Sequence, residues 1–282
     1  MIDCPVQYGV MQTNAPGRPT ELELRPLSAR SVVLSLLLGM HPPELPVKDL
    51  VRHVEAFGVS GSTLRAALSR MVSAGDLLRA DAVYRLSDRL LDRQRRQDES
   101  VHPATRPWNG DWEMVVVTTA GRRPADRADL RTRLTALRLA ELREGVWLRP
   151  DNLRRTRPPE IGPAVQYFTG RPEQPARNPT AGDSEAENPA AGYGHLPAGN
   201  LAASLWPLET WAATAEALLA HIERTRRPAD RFTALAAAVR HLLADPVLPP
   251  ELLPEGWPGP ALRAAYTTYR REPIETVLRR PD

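Results

Sequence analysis

The sequence predicts an α+β chain of several domains, and three observations carry that reading. Near the N-terminus, three stripes of helical period are followed by a short alternating hairpin. In the middle, β-branched runs flank one helical stripe, and toward the C-terminus only helical periods remain. At 282 residues the chain is long enough for two or three domains.

The elements follow in order. Residues 1–22 are polar, contain Pro5, Pro16 and Pro19 and show no periodicity, which predicts a disordered arm. A helix is expected from Ser28 to Leu38. A second is read from the stripe Leu45, Val47, Leu50, Val51, Val54 and Phe57, stopped by Gly58. Ser60 is a good N-cap and Gly75 a good stop for a third, whose Leu64, Ala67, Leu68, Met71 and Val72 form one apolar stripe. Leu77-Leu78-Arg79, a tip at Ala80-Asp81, and Ala82 to Leu86 then read as a hairpin. Helix, turn, helix and hairpin in that order predict a winged helix-turn-helix domain over residues 23–99. Ser87 is expected to cap one more helix, which the charged connector from Arg93 to Arg106 extends.

A middle domain is predicted over residues 105–172. Trp112 to Thr118 reads as a strand, and Asp126 caps a helix with Leu130, Leu134, Leu137 and Leu142 inward. Arg127, Arg131, Arg133 and Arg138 lie outward on it, where ordinary solvation is their simplest role, and Gly145 stops it. Val146 to Arg149 and Val165 to Thr169 are further strands, so the order is that of a ferredoxin-like α/β domain. Residues 173–199 are proline-rich without apolar period, which predicts a disordered insertion. A helical C-terminal effector and dimerisation domain is expected over 200–275. It contains stripes at Glu209–Arg226 and Asp230–Ala244, a proline- and glycine-rich loop from Leu248 to Gly259, and a last helix from Pro260.

The third helix suggests the chemistry. Opposite its apolar stripe lie Ser62, Thr63, Arg65, Ala66, Ser69, Arg70 and Ser73, with no acid. A helix entering a DNA major groove needs small side chains for approach, hydroxyls for phosphates and arginine for guanine edges. Ser60, Ser62, Thr63, Arg65, Ala66, Ser69 and Arg70, with Arg79 and Arg85 of the hairpin, are therefore the expected contacts to double-stranded DNA. The net charge of +3 is modest, but between Thr63 and Arg96 eight arginines face four aspartates. Lys48 is the only lysine, so the positions of the arginines carry more weight than their number.

Enzyme signatures are missing. Gly58 to Ser62 departs from a nucleophile elbow, which needs glycine where Ser62 stands. No phosphate-binding glycine loop occurs, and His41, His53, His102, His195, His221 and His241 lack metal-ligand spacing. Cys4 is the only cysteine, which excludes an internal disulfide and a zinc site built on cysteines. The six tryptophans, at 108, 112, 147, 206, 211 and 257, read first as core anchors. The longest apolar run, Val32 to Leu38, is too short for a membrane span, and the N-terminus lacks a signal pattern. A cytoplasmic protein with no catalytic residue, no metal and no resident cofactor is expected.

Four segments resemble the PaaX-type transcriptional repressors, the regulators of phenylacetic-acid degradation. They are Ser28-Ala29-Arg30-Ser31, Val59 to Gly75, Gly145-Val146-Trp147-Leu148-Arg149-Pro150, and Leu248 to Gly259 with its closing Trp257-Pro258-Gly259. The resemblance implies a winged helix, a middle domain similar to the ferredoxin-like nuclease of CRISPR adaptation, and a helical C-terminal domain. It further implies a homodimeric repressor released from its operator by an acyl-CoA or aryl-CoA effector. The chain departs from the pattern in its long insertion and its short wing with Asp81 near the tip.

A CoA thioester needs arginines beside an apolar slot, so Arg122, Arg123 and Arg127 together with Trp206, Trp211 and Trp257 are the expected effector residues. Two alternatives stand beside repression: a nucleic-acid-processing protein using the middle domain, and an activator of the same fold. The nuclease of the resembling domain needs a metal-binding aspartate at the end of its first strand. Val117-Thr118-Thr119 stands there, which argues against cleavage. The operator, the regulated genes and the effector's identity are not legible. The insertion yields a first prediction, because its composition cannot bury enough apolar area to offset ordering. Replacing residues 174–196 by a short glycine-serine linker should leave the melting temperature and DNA affinity nearly unchanged; a large loss of either would mean that the segment packs.

Overall fold

Ser28 Oγ accepts the Ser31 amide at 3.2 Å, and the helix it caps, α1 (Ala29–Leu38), is buried along most of its length. It opens the computed structural model, which describes residues 24–55, 57–119, 121, 123–172 and 198–269. The chain is a mixed α/β protein with antiparallel sheets in two compact units. One comprises Met1–Val101, Ala213–Leu243 and Pro258–Asp282; the other comprises His102–Ala212 and Ala244–Trp257. Among the described residues no helix is long and apolar enough to cross a membrane.

In the first unit α1 leads to β1 (Glu44–Pro46), α2 (Val47–Glu55), α3 (Gly61–Ser73), β2 (Leu77–Ala80), β3 (Val83–Leu86) and α4 (Asp88–Val101). The three strands form one antiparallel sheet in the order β1-β3-β2. Leu36, Leu50, Val54, Leu64, Leu68 and Met71 meet in its core. Burying a side chain of this size contributes about 1.5–3 kcal/mol, so α3 is held chiefly by Leu64, Leu68 and Met71.

β1 is absent from the sequence reading. Leu45, assigned there to a helix, sits in β1 opposite Tyr84. Phe57 lies beyond α2, edge-on to Phe232 with centroids 5.0 Å apart. Val72, expected inside, is 36% exposed, because the core stripe of α3 ends one residue earlier at Met71. The hairpin tip is Asp81-Ala82, one residue later than expected, and both residues have positive φ, as a two-residue primed turn demands.

The connector after Arg93 extends the helix, as expected, as far as Val101, and that helix is packed. Gln94 and Gln97 of α4 are buried, and their amides donate to the carbonyls that end α1. Gln94 Nε2 reaches Met40 O at 2.7 Å and Leu37 O at 3.3 Å, while Gln97 Nε2 reaches Leu38 O at 3.3 Å and Tyr266 Oη at 3.1 Å. These amides occupy carbonyls that a helix C-terminus leaves without partners.

In the second unit β4 (Trp112–Val117), α5 (Pro124–Ala136), β5 (Ala140–Arg143), β6 (Val146–Pro150) and β7 (Val165–Gly170) build a sheet in the order β5-β6-β4-β7, with α5 on one face. A 3-10 turn, Pro159–Ala164, precedes β7. The reading of one helix through Leu142 is corrected: the chain leaves the helix at Leu137, and Arg138 takes a φ of +60°. β5 then pairs with β6 across Glu144-Gly145. Leu, Ala, Glu and Arg favour a helix locally, but pairing with β6 outweighs that preference. Arg138 accordingly turns inward to donate to Asp245 O.

The other face of the sheet carries Trp112 and Leu148, against Leu201 and Ala202 of α6 (Ala198–Leu205) and Leu248 and Leu252 of the proline-rich loop. α6 begins inside the expected insertion. α7 (Leu208–Arg224), α8 (Pro228–Leu243) and α9 (Gly259–Tyr269) complete the chain. Residues expected to form one C-terminal domain divide between the units: α8 and α9 belong with α4, and 244–257 belongs with the sheet. The expected arm and nearly all of the expected insertion lie outside the described residues.

Asp76 ties the first unit together. Its side chain is 3% exposed and accepts from Arg30 of α1 at 2.9 Å and from Arg89 of α4. Its backbone accepts from the Ser87 amide at 3.0 Å and donates to Met71 O at 2.9 Å. Both guanidiniums are more than half exposed, so solvent screens the pair. Asp76→Ala should therefore cost only about 1–2 kcal/mol, less than breaking a fully buried pair. Urea unfolding would show it as a lower midpoint with an unchanged slope, and an unmoved midpoint would deny Asp76 this role.

Candidate nucleic-acid interface

α3 starts where it does because Ser60 turns out of the helix. Its Oγ accepts the Thr63 amide at 3.2 Å and lies 2.9 Å from both Ser62 Oγ and Thr63 Oγ1. Three hydroxyls thus cluster at a helix N-terminus, where unpaired amides and the helix dipole favour an anion. Gly58 and Gly75, which bound the turn and the helix end, have φ of +72° and +71°. Glycine adopts that left-handed conformation without strain.

The burial of Leu64, Ala67, Leu68 and Met71 fixes which way the rest of α3 faces. Ser60, Ser62, Thr63, Arg65, Ala66, Ser69 and Arg70 are all exposed, on one continuous face. Arg70 Nε donates to Ala66 O at 3.2 Å, which lays that side chain along its own helix. On the hairpin, Arg79 and Arg85 are exposed too. Arg79 stands opposite Tyr84 in register, its guanidinium 5.8 Å from the ring centroid, and Arg85 lies opposite Leu78 and Glu44.

Charge pairing separates these arginines from others. Among the described residues Arg65, Arg70, Arg79 and Arg85 form no ion pair. On α5, by contrast, Arg123 is held by Asp126, Arg131 by Glu141 and Arg133 by Asp129. An arginine already matched to a carboxylate offers little to a phosphate, whereas an unmatched exposed one does. The α5 arginines read as a solvated face, and those of α3 and the hairpin as cationic surface available to an anion.

The expected effector residues are not drawn together. Arg122 lies outside the described residues. Arg123 is exposed, and its bonds to Asp126 at 3.0 and 3.1 Å raise its hold on its proton. Arg127, with Arg131, Glu141, Arg143 and Glu144, lines an open cleft of about 600 Å³ between α5 and the β5–β6 hairpin. None of the three tryptophans lines it. Trp211 is stacked on Trp257 at 4.6 Å, and Trp206 packs with Trp112 and Leu148 beside the sheet.

Sequence reasoning missed the residues that hold the site from behind. Arg30, Asp76 and Arg89 looked like surface charges, and nothing in their spacing signals that they converge. Arg149, in a strand segment already singled out, is fully buried. It donates to Asn152 Oδ1 at 2.8 Å and to Pro150 O at 3.1 Å. Burial, then the neighbouring Arg155, lowers its pKa to about 9, so it remains charged at neutral pH.

Family models cover most of these elements. One described as PaaX-like protein matches residues 28–90, the PaaX protein central Cas2-like domain matches 105–181, and the PaaX-like protein C-terminal domain matches 203–276. The chain belongs to the PaaX-like family. A solved structure of an uncharacterized Mycobacterium tuberculosis protein, Rv0674, is 43% identical, with a TM-score of 0.70. The match covers 89% of this chain and 97% of that one. No curated protein sequence matches. Within the PaaX-like N-terminal match fall Ser28, which caps α1, and the whole of α3 and the hairpin.

Ser60→Ala should cost about 1 kcal/mol, since it removes the acceptor for the Thr63 amide while leaving the apolar stripe intact. The measurement is chemical denaturation of the full chain beside Ser60→Gly, which should cost only a few tenths of a kcal/mol. Equal losses for the two variants would remove the capping role.

Proposed function

We propose that this PaaX-like protein is a transcriptional regulator that binds duplex DNA through a winged helix-turn-helix, with α3 in the major groove and the β2–β3 hairpin as a short wing. The observation that carries this reading is the acid-free face of α3, which with the hairpin presents four exposed arginines that lack ion-pair partners among the described residues, while Arg123, Arg131 and Arg133 at α5 are matched. Hydroxyls at the start of α3 suit phosphates, and Arg65 and Arg70 suit guanine edges. Asp81 at the wing tip repels phosphate, so α3 is expected to dominate the contact.

The middle sheet reads as ferredoxin-like: the order β5-β6-β4-β7 with α5 as crossover supports it, a 3-10 turn standing where the second helix would be. β4 runs out into Val117-Thr118-Thr119 without a carboxylate, which favours a regulatory use of this domain over phosphodiester cleavage. One winged helix buries too little surface for tight operator binding, so the active species is read as a homodimer on an inverted repeat. Repression, with release by an acyl-CoA or aryl-CoA thioester, is the mode that the family resemblance supports. In the cleft, which Glu141 and Glu144 also line, Arg131 is matched to Glu141, and Arg127 and Arg143 remain as cations for such a ligand's phosphates.

Selection from a randomised duplex library, followed by fluorescence anisotropy on the winner, tests the proposal. The selected sequence should be an inverted repeat with half-site centres about one or two helical turns apart. Arg65→Ala should weaken binding by about 1–3 kcal/mol and relax preference at one base pair. Unchanged affinity in the Arg65→Ala, Arg70→Ala double variant would remove α3 from recognition. Binding that depends only on duplex length would replace specific regulation by general nucleic-acid affinity.

A further inference from the structure

The four-stranded sheet of the second unit has two edges, and the sequence treats them differently. β5 is four residues long, carries Glu141 and Arg143, and shifts register against β6 between those two residues. Short length, charge and a bulge are devices that keep an edge strand from pairing with another chain. β7 has none of them. It keeps register with β4 at all six of its positions, and Val165-Gln166-Tyr167-Phe168-Thr169-Gly170 contains neither charge nor proline. Val165, Tyr167, Phe168 and Thr169 are β-branched or aromatic, the types that favour a strand. Among the described residues β7 pairs with β4 alone, so one row of its amides and carbonyls faces outward without a strand partner.

The side chains beside this edge are apolar as well. Phe168 is 51% exposed, and Met114, directly opposite it on β4, is 37% exposed. Both lie on the face that carries Trp112 and Leu148. α6 and the proline-rich loop cover those two residues but leave Met114 and Phe168 to solvent.

We infer that β7 is the strand through which two copies of this chain join, antiparallel across a two-fold axis, into one continuous sheet. A second copy fits because an uncharged strand meets its own image without repulsion. Antiparallel self-pairing also satisfies the outward donors and acceptors of both copies alike. An axis perpendicular to the sheet keeps each face on its own side, so Phe168 lies opposite its counterpart or one diagonal from it. The two rings meet at the seam, each backed by a Met114. The joined sheet then offers only the guarded β5 at either end, so assembly closes at a dimer instead of running on as a fibre. This gives the homodimer read above its contact surface, and the pairing itself does not rest on DNA binding.

The test is sedimentation of the full chain without DNA. A mass of two chains is expected. Phe168→Lys, which sets two like charges at the seam, should weaken the dimer at least tenfold. Leu243→Lys, a new charge on another exposed apolar residue, should leave it unchanged. Phe168→Cys in a Cys4→Ser chain should be joined by a short bis-maleimide into a covalent dimer, which keeps the test decisive should Phe168→Lys fail to fold. A monomer overturns the inference, also where it dimerises once residues 174–196 are replaced by the short linker, since the edge is then covered from within the chain. A dimer that survives Phe168→Lys and resists cross-linking at 168 overturns β7 as its seam. Anisotropy on the selected duplex separates the two readings. A β7 dimer without duplex affinity overturns the DNA reading and leaves the interface standing, and a monomer that binds the duplex does the reverse.

Discussion

One buried carboxylate organises the N-terminal unit. Asp76 stands where α3 ends and the hairpin begins, and it accepts from a guanidinium of α1 and one of α4. A carboxylate this deep is tolerated only with such partners. Meeting that requirement brings α1, α3, β2 and α4 to one point. The exposed face of α3 therefore has a defined direction relative to the hairpin, which a surface that reads DNA needs more than it needs affinity. The apolar cluster beneath supplies most of the stabilisation, but apolar contacts are non-directional, and the ion pairs set the angle.

α1 meets a second constraint at its other end. Its carbonyls there would be orphaned, and Gln94 and Gln97 of α4 supply the donors. α4 in turn packs on α8 and α9, so helices distant in sequence complete the unit that carries α3. The C-terminal helices are thus part of the support for the candidate DNA-binding face.

In the second unit the sheet does the same for Arg149. Its guanidinium is buried beneath the loop that carries Val247, held by Asn152 and by backbone carbonyls. Arg155 and Arg157 meet the nearby carboxylate of Glu113. A charge so placed makes the proline-rich loop and the strand interdependent, because either one alone leaves donors or acceptors unmet.

Local pattern determined much of this protein. The cap at Ser60, the stripe of α3, the hairpin, the strands with β-branched runs and the acid-free arginine face were all legible, since each depends on neighbours within a turn or a strand. β1 and β5 were not. Three residues pairing with a distant strand carry no period of their own, and the Leu, Ala, Glu and Arg around β5 favour a helix until β6 is beside them. Nor could spacing reveal that Arg30 and Arg89 meet on Asp76, that Gln94 and Gln97 finish another helix, or that Arg149 is buried. Those roles arise from contacts between residues far apart in the chain. Tertiary structure also decided which arginines were matched by acids, because a side chain's charge is written in the sequence but its partner is a matter of distance.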